Sequence, residues 1–362
     1  MSLESTSVAR ARAVEMSGDP RALEGPLRGY HHETYVFPLP TADGSTIRWK
    51  CREPRSSLLW FDRRCFVSEE QLLKALAGRI THIPEILEAG DAGLQRFIEG
   101  ETLGSLYGSG KAIPGVILQQ IVVLFRQLAG VAPDSLAVGR RCAEEDRPDD
   151  GDTNGFLERL VLFTEKRVYE RNLPMFADLF GELGINARSF PHLRDCLSGL
   201  KRRPFCLLHA DLHRENFIID SRRRLWTIDW ELAMVGDPLY DLATHLHLMR
   251  YPYWQRGQMV KRWCAAVEGI RPGGSNGLDH DLPRLIAYKR AQSVFTDVIR
   301  EAMSLGAVSE GDDRLDRAGR NLQKILIAAA GSLRLDSVPA PGEIAMALLR
   351  WRKRYLALTA VE

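Results

Sequence analysis

Hydrophobic and polar positions change period along the chain, and the changes divide it. From Leu23 to about Gly100 the apolar runs are short and alternate with polar residues. Residues 27–37 read as strand, turn and strand. The turn signal Ala42-Asp43-Gly44-Ser45 precedes a strand from Thr46, in which Ile47, Trp49 and Cys51 share one face. Arg48, Lys50 and Arg52 take the other. Ser68 followed by Glu69 and Glu70 gives an N-cap with acids in the first turn, predicting a helix through Leu76. Residues 83–88 and 95–103 read as two further strands and a linker.

Beyond Thr102 the period becomes helical. Val116, Ile117, Ile121, Val122, Leu124 and Phe125 recur at helix spacing over residues 115–128. Residues 156–183 continue in the same way, with Pro174 breaking or kinking the run, and a helix over 192–200 follows. Between them, residues 141–153 are acidic with Pro and Gly, and read as a mobile surface loop. The period returns to two around residues 205–228, where two apolar runs bracket the polar turn from Asp220 to Arg224, a β-hairpin pattern. Helical patterns then cover 239–250, 254–268, 282–305, 315–335 and 343–359. The expected division is a tail or short helix over 1–22, a strand-rich region over 23–100, and a helical region over 101–362.

Composition narrows the class. With 362 residues and 45% hydrophobic content the chain can bury a substantial core. A net charge of +2 gives no global argument for nucleic acid, so no nucleic-acid partner is expected. The six cysteines are scattered without a Cys-x-x-Cys pair, as free thiols in a reducing cytosol would be, so the expected location is cytoplasmic. The first twenty residues lack the apolar core of a secretory signal. No run of 18 apolar residues occurs, and no membrane association is expected.

The chemistry concentrates between residues 204 and 241. An apolar run, Phe205-Cys206-Leu207-Leu208, delivers His209, Asp211 and Asn216 onto a loop, and the second hairpin strand ends in Asp229. One hairpin therefore brings Asp211, Asn216 and Asp229 towards a common point. Phosphoryl transfer needs such a set: a carboxylate for the acceptor hydroxyl and oxygen ligands for Mg²⁺ on nucleotide phosphates. His209 reads as a structural residue holding the loop. His213 and Arg214 either contact phosphate or acceptor or are solvated.

His209-x-Asp211-x₄-Asn216, Ile228-Asp229-Trp230-Glu231 and Gly236-Asp237-Pro238-x-x-Asp241-Leu242 together resemble the catalytic segment of aminoglycoside phosphotransferase and choline kinase-like enzymes. The resemblance implies an α+β, two-lobed protein-kinase-like fold, with a small antiparallel-sheet N-lobe and a large helical C-lobe. It implies ATP as co-substrate and Mg²⁺ as cofactor, with Asp211 catalytic and Asn216 and Asp229 holding the metal. Lys50 is the expected phosphate-binding residue, with Arg48 as alternative, and Glu69 or Glu70 is expected to pair with it. The phosphate-covering turn is poorly matched: only Gly29 falls in it, where Arg28, His31 and His32 offer donors instead. Glu99, Gly100 and Glu101 mark the expected hinge, where main chain reads adenine; the hinge does not choose between ATP and GTP.

The helical region after the hairpin is expected to supply the acceptor site, with Tyr251, Tyr253, Trp254, Tyr288 and Arg290 as candidate contacts. Residues 251–362 contain 17 Lys and Arg against 12 Asp and Glu. A polycationic aminoglycoside needs carboxylates around it, so a neutral, anionic or peptidic hydroxyl acceptor is expected. Two alternatives stand beside a small-molecule kinase. One is a kinase-like enzyme acting on Ser or Thr of a precursor peptide in ribosomal peptide biosynthesis. The other is an inactive binding scaffold, whose mark would be loss of Asp211, Asn216 or Asp229; all three are present.

Overall fold

The computed structural model describes residues 7–27, 32–54, 63–89, 92–306 and 312–359. In chain order the strands are β1 (His32–Pro40), β2 (Thr46–Pro54), β3 (Ile86–Ala89), β4 (Ala92–Arg96), β5 (Glu101–Thr102), β6 (Cys206–Leu208), β7 (Phe217–Ile219), β8 (Leu225–Thr227) and β9 (Met234–Gly236). The helices are α1 (Val8–Ser17), α2 (Glu69–Leu76), α3 (Leu103–Leu106), α4 (Gly115–Ala129), α5 (Thr153–Phe163), α6 (Leu173–Glu182), α7 (Ser189–Leu197), α8 (Pro238–Met249), α9 (Tyr253–Glu268), α10 (Leu278–Gly306), α11 (Asp312–Leu333) and α12 (Pro341–Thr359). Two compact units emerge. One comprises Met1–Cys142, Cys206–Val235 and Leu248–Arg271; the other comprises Ala143–Phe205, Gly236–His247 and Pro272–Glu362.

The first unit holds a four-stranded antiparallel sheet in the order β1-β2-β4-β3. Register pairs Tyr35 with Cys51, Phe37 with Trp49 and Leu39 with Ile47, so the apolar alternation of both strands falls on one face. That face is covered by α1, whose Ala9 and Ala13 are buried against Tyr35, Phe37, Trp49, Cys51 and Leu94. The N-terminal segment is therefore a working part of this core rather than a tail. Small residues at a four-residue spacing let the helix approach the sheet closely, and Ser7 caps it by accepting from the Arg10 amide. Helix α2 starts as its sequence requires, with Ser68 accepting from the Gln71 amide and Glu69 and Glu70 in the first turn. A second small sheet, β5-β7-β8, contains the hairpin, and Asp220 closes its turn by accepting from the amides of Arg222 and Arg224.

The second unit is helical and its core is aromatic. Tyr169, Phe180, Phe190 and Phe295 lie with ring centroids 5.0–6.4 Å apart, and Phe176 stacks on Trp351 at 5.1 Å. Pro174 lies in the first turn of α6, after six residues of π-helix and one 3₁₀ turn that end the preceding helix. The fully buried Arg203 is held by Asp237 at 2.8 Å and Asp281 at 2.7 Å. Asp237 also accepts from Thr153 at 2.9 Å and from the Leu239 amide at 2.8 Å. The acidic stretch before α5, expected to be mobile, has fixed partners instead. Asp150 accepts from the Phe205 amide at 2.6 Å, Asp152 caps α5 through the Gly155 amide, and Asp146 pairs with Arg159 at 2.8 Å. Three of its six acids hold the helix start and the chain beside it.

Candidate active site

The site is built from backbone that non-glycine residues seldom adopt. Ala210 and Asp229 both have φ of 63°, in the left-handed region. Such residues cost free energy and persist only where their surroundings over-determine them. Here His209 supplies one restraint: its Nε2–H donates to the Ile228 carbonyl at 3.1 Å, tying the start of the loop to the residue before Asp229. The imidazole is buried against the Trp230 ring at 4.7 Å, and burial holds its pKa down at about 4 against the nearby Asp211 and Asp229 charges. It is a neutral brace, as the sequence reading expects.

Asn216 supplies the second restraint. Its Nδ2 donates to the Asp211 carbonyl at 2.9 Å and to the Asp211 carboxylate at 3.2 Å, while its own carbonyl accepts from the Ile228 amide at 3.0 Å. The amide hydrogens are thereby used, and among the described residues Oδ1, the atom that a hard cation would take, accepts no hydrogen bond. Burial would raise the Asp211 pKa, but the hydrogen bond from His213 and the charges of His213, His209 and Arg63 hold it down at about 2. His213 lies 3.4 Å from that carboxylate and is itself raised by it against the effect of burial.

Arg214, left open between phosphate contact and solvation, is neither. It is buried, and its guanidinium donates to the carbonyls of Met249 (3.1 Å), Tyr107 (2.7 Å) and Lys111 (2.7 Å). The loop that carries Asp211 is thus fastened from beneath by a cation with main-chain partners.

Asp229 and Glu231 follow on the strand side. Burial, and then the Asp229 charge, push Glu231 up to about 7. Its carboxylate lies 3.7 Å from His32 Nδ1 and 3.7 Å from Arg64. Glu231, His32 and Arg64 line a cavity of about 570 Å³ that also takes in Lys50, Arg52, Glu69 and Glu70.

The charged face of β2 differs from expectation in one respect. Glu69 is buried, as a pairing residue should be, but it pairs with Arg52 rather than Lys50. The Arg52 guanidinium also lies 3.9 Å from Glu70 and 3.8 Å from Asp229. Alternation places Lys50 and Arg52 on one face, and the planar fork of arginine serves several carboxylates at once where a lysine amine serves as a single point. Lys50 pairs with no carboxylate of the described residues. Burial, and then the charge of Arg52, hold its pKa down at about 8 despite Asp229, Glu70 and Glu231 nearby. Arg48, the alternative phosphate ligand, is engaged by Glu99 at 3.0 Å and by Glu24, with its guanidinium over the Phe97 ring.

At the expected hinge, Gly100 has φ of 149° and an added Cβ would stand 2.3 Å from the Ile219 carbonyl oxygen. Only glycine allows β5 to pair here with β7, Glu101 opposite Ile219. Gly29, Arg28 and His31 lie outside the described residues. Of the aromatic candidates, Tyr251 and Tyr288 are buried, while Tyr253 is 92% and Trp254 57% exposed. Sequence reasoning singled out neither Arg52 nor Arg64 for a role; for Arg52 the shared face with Lys50 was the available signal.

Among the described residues no three His, Cys, Asp or Glu side chains converge into a closed metal cage. Mg²⁺ does not need one, since it is commonly held by one or two carboxylates with substrate phosphates and waters. Asp229 and the Asn216 amide oxygen are hard donors of the required kind.

The fold is α+β, of the two-lobed protein-kinase type. The model of the phosphotransferase enzyme family matches residues 27–276, and the chain belongs to that family. Macrolide 2'-phosphotransferase MphH from Brachybacterium faecium is similar in structure, with a TM-score of 0.50 and 16% identity over 89% of this chain and 95% of that one. A choline/ethanolamine kinase family protein from Mesorhizobium loti is similar too, with a TM-score of 0.50 and 17% identity over 93% and 97%. At these identities the likeness is one of fold. No curated protein matches the chain, and among the described residues no helix is long and apolar enough to cross a membrane.

Proposed function

We propose that the protein transfers the γ-phosphoryl group of ATP, with Mg²⁺, to a hydroxyl of a small-molecule acceptor. The observation that carries this reading is the grip of Asn216 on Asp211 and, through its carbonyl, on the residue preceding Asp229. Asn216 thereby ties Asp211 to the residue before Asp229, with two hydrogen bonds through its side chain and one through its main-chain carbonyl.

Asp211 receives the acceptor hydroxyl. With a pKa near 2 it is ionised throughout the physiological range and a weak base. Its main contribution is therefore to orient the hydroxyl, which suits a loose transition state that asks for positioning more than proton abstraction. Asn216 and Asp229 are the residues that would hold Mg²⁺, which when bound neutralises phosphate charge. Lys50, having no carboxylate partner among the described residues, is available to the phosphates. Glu69 stays on Arg52 and accepts from the Trp230 amide at 2.8 Å, steadying the backbone after Asp229. Main chain at Glu99 and Gly100 reads adenine, and the strand-rich region up to Gly100 is the nucleotide side. The excess of 17 basic over 12 acidic residues in 251–362 favours a neutral or anionic acceptor.

The test is binding and turnover. Calorimetry with Mg²⁺ and a non-hydrolysable ATP analogue should show saturable binding that weakens in EDTA. A panel of hydroxyl compounds, including aminoglycosides, incubated with Mg²⁺-ATP and read by mass spectrometry should yield a phosphorylated neutral or anionic member. Absence of nucleotide binding overturns the reading; turnover on an aminoglycoside overturns the acceptor class alone.

A further inference from the structure

We propose that Cys65 and Cys142 form a modification site: a dithiol that a hydroperoxide closes to a disulfide and a thiol reductant reopens. The two segments that carry them lie side by side. Phe66 and Arg140 form an antiparallel bridge, the Val67 amide donates to the Gly139 carbonyl at 2.9 Å, and the Arg141 amide donates to the Cys65 carbonyl at 2.8 Å. Cys142 is the next residue, and its sulfur is hydrogen-bonded to that of Cys65. Antiparallel neighbours stand about 5 Å apart at Cα, within the span of about 4.4–6.8 Å that a disulfide allows, so the chains need not approach further.

The surroundings suit a reactive pair rather than an inert one. Both thiols are half-buried, whereas Cys51 and Cys206 are buried. Arg64 precedes Cys65, Arg140 and Arg141 precede Cys142, and such electropositive, partly open places favour oxidation. The hydrogen bond to Cys142, and then burial, push the Cys65 thiol up against the Val235 amide and the Arg140 charge. Cys65 therefore keeps its proton, and Cys142 is the sulfur that ionises. With hydrogen peroxide, the Cys142 thiolate attacks one oxygen, the O–O bond breaks, and hydroxide leaves and takes up a proton as water. Cys142 is then a sulfenic acid. The Cys65 sulfur attacks it and gives up its proton; the S–S bond forms, the S–O bond breaks and a second water leaves. Two electrons have passed from the thiols to the peroxide. The bond joins the segment carrying Arg64 and Phe66, both on the wall of the 570 Å³ cavity, to residues 139–142. It also closes residues 65–142 into a loop, and cross-links over long loops stabilise a fold. In reducing compartments such pairs are transient or redox-sensing.

The experiment uses the full chain and no nucleotide, so it stands apart from the kinase reading. Reduced protein, freed of reductant, is treated with hydrogen peroxide, blocked with iodoacetamide, digested without reduction and read by mass spectrometry. The expected product is a Cys65 peptide joined to a Cys142 peptide, released by dithiothreitol. Cys196, half-buried with its sulfur 3.7 Å from His192 Nε2, is the internal control and should stay unlinked. The oxidised protein should melt about 3 °C or more above the reduced one, and Cys65→Ser and Cys142→Ser should each abolish that rise. In Cys65→Ser, dimedone should trap a sulfenic acid at Cys142. Failure to link the two peptides while Cys196 is already oxidised overturns the proposal. So does linkage of either cysteine to a different one, or linkage only between chains. A linked form that melts no higher than the reduced one overturns it as well, since the bond would then need a geometry the fold does not hold. The wild-type digest and melt decide these points even if a serine variant fails to fold.

Discussion

The hairpin that carries Asp211, Asn216 and Asp229 and the charged face of β2 fix their side chains by different means. In the hairpin the anchors are main-chain groups: His209 on the Ile228 carbonyl, Asn216 on the Asp211 carbonyl, Arg214 on three carbonyls. On β2 the anchors are other side chains, with Arg52 on Glu69 and Arg48 on Glu99 and Glu24. Main-chain anchors are set by the fold and leave one arrangement. Side-chain anchors can be exchanged between two cations on the same face at little cost, so function there depends on which cation takes which acid.

Predictions can sharpen or break that contrast. The largest effect is expected at Asp229. Asp229→Ala should abolish Mg²⁺-dependent nucleotide binding, because the remaining Asn216 oxygen is neutral and weak for a hard cation. Unchanged affinity and metal dependence in a calorimetric titration would remove Asp229 from the site. Next comes Asp211→Asn, which should lower kcat by about 10²–10⁴ while nucleotide binding persists. Initial rates under saturating Mg²⁺-ATP check this, and near-normal turnover would deny Asp211 its role.

A smaller effect is expected at Lys50. On the proposed reading its charged amine binds phosphate; its pKa lies at about 8, lowered by burial and then by Arg52. Affinity for metal-free ATP should therefore hold below that pH and fall as pH rises through it, up to about tenfold per unit. Lys50→Arg, charged throughout, should flatten the profile between pH 7 and 9.5. A wild-type profile already flat there would take Lys50 off the phosphates.

The hairpin's own titration is a stability effect. His209 has a folded pKa of about 4, below its ordinary value of 6.5, because burial disfavours the cation. Its contribution is fully present above pH 6.5 and is lost as pH falls through about 4, reaching roughly 3 kcal/mol. Melting temperature should drop over that window, and His209→Gln, which can still donate to Ile228, should drop less. Equal slopes would mean that other groups govern the acid limb.

What could be read from sequence follows the same division. The spacing of His209, Asp211, Asn216 and Asp229 announced that one loop and hairpin would bring them together, and His209 and Asn216 do hold that loop by hydrogen bonds. The β2 pattern announced the correct face, with Trp49 and Cys51 inward. It did not say that Arg52 rather than Lys50 would take Glu69, because strand periodicity fixes direction and not choice of partner. Arg214 was unreadable for a related reason: its partners are carbonyls of Tyr107, Lys111 and Met249, far along the chain and silent in side-chain identity. The acidic stretch before α5 was misread because composition counts acids without seeing that Asp150 and Asp152 have amides waiting for them.

Helix α1 bears on how this enzyme should be handled at the bench. Someone trimming a seemingly dispensable leader at Leu23 would strip Ala9 and Ala13 from the sheet, baring Tyr35, Trp49 and Cys51. Those residues back the strand whose opposite side carries Lys50 and Arg52. A shortened protein that no longer bound nucleotide would invite the conclusion that the leader recognises ATP, when the strand presenting the cations had simply lost its backing. A melting curve of the shortened chain, taken before any binding assay, separates the two.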